Sequence, residues 1–199
     1  MTGTMTAGTK LPDDPANLAD PIRRILSRYP SGLTSRAAVF LDRDGVLNRD
    51  LNYVHSVDRF EPVPGAAEAI AWLNARGRKV IFVTNQAGIA RGYYTEEQLG
   101  SFTRWIEDWL YERGARIEAT YYCPHHPTAG MGRYLLACGC RKPEPGMIRA
   151  GIADLDLEPA QCLLIGDQKT DVGAAEAAGI PGHLFDGSNL ESFVKRLLA

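Results

Sequence analysis

The stretch Ala37-Ala-Val-Phe-Leu-Asp-Arg-Asp-Gly-Val-Leu-Asn48 constrains this chain more than any other. A short apolar run breaks off into acid, base, acid and glycine, which reads as a buried strand stopping where the chain meets solvent. Asp42 then stands at the carboxyl end of a central strand. Asp44 can point back to the same spot, because Gly45 lets the backbone turn tightly. Open parallel sheets take their ligands outside the carboxyl ends of their strands, so two carboxylates there suggest chemistry. An ordinary strand exit, with Asp as a turn former, explains this stretch alone equally well.

The rest of the chain alternates. Residues 1–35 are rich in Thr, Gly, Pro and Asp and predict a flexible N-terminal arm, with one or two helical turns starting at Asp20 and Pro21. Residues 36–199 make up the folded domain. A long loop, Arg43 to Phe60, leads to a helix over residues 63–77, with Pro64 near its start and Gly77 at its end. Lys79 to Thr84 predicts a second buried strand, breaking into the polar run Thr84-Asn-Gln. Thr95 and Gln98 make a capping box for a helix whose stripe of Leu99, Phe102, Trp105, Ile106, Trp109 and Leu110 belongs to the core. Strands follow over residues 117–122, 162–167 and 183–185, with helices over 145–155 and 172–178. Ser188 and Glu191 predict a capping box for a terminal helix. Strands alternating with helices mean an α/β fold around a parallel sheet with right-handed crossovers.

At 199 residues and 45% hydrophobic content, the chain can bury one core and carry an appendage. Its net charge is −2 and its basic residues are scattered, so the basic stripe of a nucleic-acid binder is missing. No apolar run is long enough to span a membrane, and the amino terminus lacks a secretory pattern. Of four cysteines, three stand close together with a histidine. That suits a metal in a reducing compartment better than a disulfide framework, and a cytoplasmic protein is expected.

Four polar clusters fall at strand ends or in the loops beyond them: Asp42 with Asp44, Thr84 with Asn85, Lys142, and Asp167 with Asp171. Acids, a hydroxyl and a lysine fit phosphoryl transfer, which needs a nucleophile, a proton donor and positive charge around the transferring oxygens. An aspartate can be the nucleophile and form an aspartyl phosphate. Magnesium takes one or two carboxylates plus substrate phosphate, and Asp42 and Asp167 would supply them. A second signal is Cys123-x-His125 with Cys138-x-Cys140. Three thiolates and an imidazole close a tetrahedral zinc site, which is structural because no position remains for water. His126 is an alternative to His125. Arg141 and Lys142 follow directly on Cys140, so zinc would fix a loop that delivers them. Cys162 lies within a strand and reads as core.

Phe40-Leu-Asp-Arg-Asp-Gly-Val-Leu-Asn48 resembles the first motif of the haloacid dehalogenase phosphatases. Val83-Thr84-Asn85 resembles the second, Lys142-Pro143 the third, and Ile165-Gly166-Asp167 with Asp171 the fourth, in the family's order. A finer similarity, to D-glycero-D-manno-heptose-1,7-bisphosphate 7-phosphatases, rests on three runs. They are Thr84-Asn-Gln-Ala-Gly-Ile-Ala-Arg-Gly92, Tyr122-Cys-Pro-His-His-Pro127 and Cys138-Gly-Cys-Arg-Lys-Pro-Glu-Pro-Gly-Met147. The resemblance implies a three-layer Rossmann-like parallel sheet without an inserted cap domain, carrying a zinc-binding loop. It implies Asp42 as nucleophile, Asp44 as acid/base, and Thr84 and Lys142 on the transferring phosphoryl group. Magnesium would sit on Asp42, Asp167 and the backbone carbonyl of Asp44, and zinc would take His125 rather than His126.

Asn85, Arg141, Arg91, Asn48, Tyr53 and His55 are candidates for the substrate and its second phosphate. Arg141 leads them, because guanidinium groups grip phosphate at two points. The implied reaction removes the 7-phosphate of the heptose bisphosphate, with Mg2+ as catalytic and Zn2+ as structural cofactor. It would serve nucleotide-activated heptose and lipopolysaccharide biosynthesis. A monomer acting on a small phosphorylated sugar, with no nucleic-acid or membrane partner, is expected. Histidinol-phosphate phosphatases share the fold and a similar zinc loop, but the run through Arg91 favours the sugar enzyme. The acidic charge opposes a polynucleotide phosphatase. A catalytically inactive zinc-ribbon adaptor is disfavoured because Asp42, Asp44, Lys142 and Asp167 are all present. There is one departure: relatives often carry Gly-Asp-Lys in the fourth motif, whereas here Gln168 follows Asp167 and the lysine is Lys169.

Overall fold

The structure is a computed structural model and describes residues 22–198. Six strands form one sheet: β1 (Arg23–Leu26), β2 (Ala38–Leu41), β3 (Lys79–Asn85), β4 (Ala119–Cys123), β5 (Cys162–Gly166) and β6 (Gly182–Leu184). Their order is β1-β4-β3-β2-β5-β6. Every pair is parallel except β1 with β4. The helices are α1 (Ala66–Ala75), α2 (Ala87–Ala90), α3 (Glu96–Tyr111), α4 (Gly146–Asp154), α5 (Lys169–Ala178) and α6 (Leu190–Leu197).

The apolar runs are continuous because the parallel strands are covered on both faces. Val39 and Leu41 of β2 pack with Phe82 and Ile165 against α1, α3 and α6. Ala38 and Phe40 point the other way, with Ile81 and Leu164, onto α4 and α5. Three layers result, with β2 at the centre. No domain is inserted among the described residues, and none of their helices is long and apolar enough to cross a membrane. The capping box at Thr95 and Gln98 forms as expected, starting α3.

Two local expectations are corrected. Residues 23–26 are not helical but form an antiparallel edge strand, Arg23 opposite Tyr122 and Leu26 opposite Ala119. β4 offers an open row of backbone donors and acceptors there, and pairing with it outweighs a weak local helix signal. Ion pairs from Arg23 to Glu96 at 2.8 Å and from Arg24 to Asp154 at 2.5 Å hold the strand in place. The sheet therefore begins ahead of residue 36. Residues 1–21 of the expected arm, Asp20 and Pro21 among them, lie outside the described residues. The second correction is the start of α6, which Asn189 caps by accepting from the Ser192 N–H at 2.9 Å. The Ser188 N–H is already committed to Asp186 Oδ1 at 3.0 Å, so the chain turns there and the helix starts one residue later than the Ser188 capping box implied.

Candidate active site

The sheet places the first carboxylate. Asp42 follows β2 directly, and its N–H donates to the Ile165 carbonyl of β5 at 3.0 Å. Its Oδ1 accepts from the Arg43 N–H at 2.7 Å and lies 3.0 Å from Lys142 Nζ. Lys142 is buried and arrives from the loop ahead of α4. Its Nζ also meets Asp171 Oδ1 at 2.5 Å and donates to the Val83 carbonyl at 2.9 Å. Asn85 grips the lysine's backbone twice, accepting from its N–H at 3.1 Å and donating to its carbonyl at 3.2 Å. A buried ammonium needs pairing this complete.

Burial pushes the Asp42 carboxyl up to about 7, opposed by Lys142 and helped by Asp171 and Asp44. For Lys142, burial disfavours the charge, but Asp42 and Asp171 outweigh it and hold the ammonium above its ordinary value. Asp167, at the end of β5, is raised by burial, against a hydrogen bond from Gln168, with Asp171 adding to the rise. Its Oδ1 is buried without a hydrogen-bond partner. Ligand oxygens of Asp42, Asp167 and Asp171 lie within 4.8 Å of one another. Asp171 is engaged by Lys142 and by the Gln168 N–H at 2.9 Å, which leaves Asp42 and Asp167 open to a cation.

Converging carboxylates with an orphan oxygen suit magnesium, a hard cation that takes oxygen ligands. Bound there, it would neutralise phosphoryl oxygens and favour the ionised form of both acids. Gly45 (φ 88°) passes so close to Asp167 that a Cβ would collide with the carboxylate, so only glycine makes this turn without disturbing the site. Asp167→Asn should keep the fold and lose most activity at modest magnesium. Magnesium should raise the melting temperature of the parent and raise the variant's far less. Equal thermal shifts in the two would remove Asp167 from the cation's shell.

A different set of side chains holds Asp44. The buried Arg43 donates through Nη2 to both carboxylate oxygens, at 2.9 and 2.7 Å, and to the Val54 carbonyl at 2.6 Å. Asn48 Nδ2 donates to Asp44 Oδ1 at 2.9 Å and Gln86 Nε2 to Oδ2 at 3.0 Å. Asn48 is fully buried and is not on the cleft wall, so its expected contact with substrate is corrected to a contact with Asp44. His55 is also corrected. Its ring stacks on Tyr94 at 4.4 Å and 12°, behind the wall instead of on it.

The cleft measures about 320 Å³ and brings together Asp42, Asp44, Thr84, Asn85, Lys142 and Asp167 with Tyr53, Arg91 and Arg141. Tyr53 comes from the loop after β2, with a left-handed backbone (φ 55°) and its ring 5.0 Å from Tyr93, edge to face. Arg91 Nε is buried with no hydrogen-bond partner among the described residues. Arg141 Nη1 donates to the His125 carbonyl at 3.2 Å. His126 shares the cleft wall, and burial, with the charges of Arg141 and Arg91, holds its imidazole below the ordinary value.

The cysteine-rich loop closes a second donor set. Sγ of Cys138 lies 3.5 Å from Cys123 and 3.1 Å from Cys140, while His125 Nδ1 lies 3.7 Å from Cys123 and 3.5 Å from Cys140. Ligands of a tetrahedral zinc sit roughly 3.5–3.8 Å apart, given its bond lengths, so the donors fit and only the Cys138–Cys140 spacing is shorter. The hydrogen bond between Cys123 and Cys138 pushes the first thiol up to about 12 and holds the second well below the thiol range. A cation would let all three ionise together. His126 is turned away, its Nδ1 accepting from the Thr128 and Ala129 N–H groups at 3.2 and 3.0 Å. Glu96 ties the loop to the sheet, accepting from Tyr134 and Tyr122 hydroxyls at 2.6 and 2.8 Å and pairing with Arg133 at 3.2 Å.

Sequence reasoning gave no role to Arg43, Gln86, Tyr94 or Glu96. The first two stand inside the motifs, between Asp42 and Asp44 and directly after Asn85, and that placement was the available signal. Nothing local marked Glu96.

Comparison with known proteins follows the same lines. A sequence model of haloacid dehalogenase-like hydrolases matches residues 39–100, and a HAD-hydrolase-like model matches residues 139–188. The D-glycero-beta-D-manno-heptose-1,7-bisphosphate 7-phosphatase of Rhodopseudomonas palustris is 44% identical over 82% of this chain and 91% of its own length. The chain belongs to this phosphatase family. A Haemophilus ducreyi member is 46% identical over 73% of this chain and 80% of its own. Among solved structures, the B. bronchiseptica D,D-heptose 1,7-bisphosphate phosphatase, complexed with magnesium and phosphate, superimposes with a TM-score of 0.70. It is 31% identical and covers 81% of this chain and 98% of its own. At the family's fourth motif, Gln168 Nε2 donates to Asp167 Oδ2 at 3.0 Å, and Lys169 is not on the cleft wall.

Proposed function

We propose that this chain is a magnesium-dependent phosphatase that removes the 7-phosphate of D-glycero-D-manno-heptose 1,7-bisphosphate. The observation that carries the reading is one cleft lined at once by Asp42, Asp44, Lys142 and Asp167 and by two arginines suited to a second phosphate. Asp42 attacks phosphorus and forms the aspartyl phosphate. Lys142 and the Thr84 hydroxyl hold the phosphoryl oxygens. Asp44 gives a proton to the departing sugar oxygen, then takes one from the water that hydrolyses the intermediate. Asp42, Asp167 and the Asp44 backbone carbonyl would hold magnesium, which would supply positive charge beside the phosphoryl oxygens. Arg141 and Arg91 take the second phosphate, and Tyr53 and Asn85 border the sugar. The product would feed nucleotide-activated heptose and lipopolysaccharide synthesis in the cytoplasm, where metal-binding thiols stay reduced. The chain would act as a monomer.

Zinc on Cys123, His125, Cys138 and Cys140 would fix the segment that presents Arg141 and Lys142. Cys138→Ser should lower zinc content from near one per chain, loosen residues 123–140 and cut activity through misplaced binding groups. Zinc-free protein of full activity, purified under reducing conditions, would overturn this.

Substrate choice is tested by phosphate release from both anomers of the heptose bisphosphate, histidinol phosphate and a 3′-phosphorylated oligonucleotide. The heptose bisphosphate should give the highest kcat/KM, and the relatives' name points to the β-anomer. A higher value for histidinol phosphate would move the chain to that activity.

A further inference from the structure

Gln86 is buried beside the reacting groups, and the mechanism above gives it no part. Its Nε2 donates to Asp44 Oδ2 at 3.0 Å and to Thr84 Oγ1 at 2.8 Å. Both amide hydrogens are then used, and Thr84, accepting through oxygen, keeps its own hydrogen for a ligand. The amide is oriented from its other side. The Tyr94 hydroxyl donates to Gln86 Oε1 at 2.5 Å, and Arg43 Nη2 lies 3.4 Å from the same oxygen. Turned over, the amide would set its oxygen against the Asp44 carboxylate and its hydrogens against Arg43.

Tyr94 is itself firmly seated. Its ring is buried and stacked on His55. Gly88 backs it so closely that a Cβ there would collide with the ring. Burial holds the hydroxyl above the ordinary phenol range, so it remains a donor.

We propose that Gln86, oriented by Tyr94, is a positioning residue that sets Asp44 for proton transfer. The proposal rests on the reading of Asp44 as the proton carrier but not on the identity of the sugar. It is a tyrosine–glutamine relay reaching the acid along the cleft wall, which both residues line.

The test uses Tyr94→Phe, which removes the hydroxyl and keeps the ring with its His55 and Gly88 contacts, and Gln86→Ala. Both are assayed on simple phosphate monoesters, from alkyl to nitrophenyl, by steady-state and rapid-mixing kinetics. A 1 Å misplacement can cost about 100-fold, so kcat for an alkyl ester should fall roughly 10–100-fold with KM little changed. The nitrophenolate burst should keep its parental rate, because that leaving group needs no proton. Since both residues act through one amide, the double variant should be no slower than Gln86→Ala alone. Equal losses on alkyl and aryl esters, or additive losses in the double variant, would overturn the relay. A parent inert on heptose bisphosphate yet active on these esters would defeat the substrate assignment and leave this test standing. Loss of the alkyl–aryl contrast in Asp44→Asn would instead defeat the role of Asp44, and the relay with it.

Discussion

Asp42→Asn is expected to end turnover while flattening the pH dependence of the metal-free protein's heat resistance. The catalytic half follows from the nucleophile. An amide does not attack phosphorus, so no phosphoenzyme forms, and losses on the order of 10⁴–10⁶-fold accompany removal of such a residue. The stability half follows from burial. The Asp42 carboxyl stands at about 7 in the folded chain against an ordinary 3.8. Between those values the native state holds a proton that the unfolded chain has lost. This contribution is therefore complete below pH 3.8 and is lost as pH rises through about 7. Asparagine has no such proton to lose, and its oxygen can still accept from Lys142 and Arg43. Melting temperatures without magnesium should fall from pH 5 to pH 8 in the parent and fall less in the variant. Parallel curves would show that burial does not raise the Asp42 carboxyl.

Asp44→Asn is expected to separate the two chemical steps. Proton donation matters most when the departing oxygen leaves poorly, and general acid–base help is worth about 10²–10⁴-fold. Hydrolysis of a sugar phosphate should fall by that order. An activated aryl phosphate expels a stable phenolate, so its first step should largely survive. Water must then attack the aspartyl phosphate without its base, and the second step should become slow. The signature is a burst of phenolate of at most one per active site, followed by a low steady rate. The surroundings sharpen the experiment. Arg43, Asn48 and Gln86 all donate to this carboxylate, and an amide must turn its own hydrogens toward one of them. A uniform loss on both esters with no burst would assign Asp44 to holding position or metal instead.

The reading from sequence was strongest where neighbours in sequence decide the outcome. The apolar run before Asp42 reads as a covered strand, and the run before Asp167 behaves alike, because both faces of a parallel sheet are dry. The Thr95 box needed only residues three apart. Cys138 and Cys140 were legible as metal donors because their spacing is itself the chemical pattern. Asn48 and His55 misled for a related reason. Both are polar residues in a loop beside the site, and sequence does not say which way such a side chain turns. Asn48 turned inward to Asp44 and His55 behind the wall onto Tyr94.

The chain order of Asp42, Thr84, Lys142 and Asp167, with Asp42 and Asp167 just beyond apolar runs, was determined by the sequence alone. So was the donor set of the cysteine loop, apart from the choice between two adjacent histidines. The tertiary structure decided everything that depends on partners far along the chain. It recruited residues 23–26 as an edge strand because β4 stood open about a hundred residues later. It set the His125 ring nitrogen beside the sulfurs of Cys123 and Cys140 and turned that of His126 to backbone N–H groups. It closed Arg43, Gln86 and Tyr94 around Asp44, with bonds that span up to 43 positions in sequence. Local pattern reports which residues leave water; the direction in which a buried polar group finds its hydrogen bonds exists only once the elements have packed.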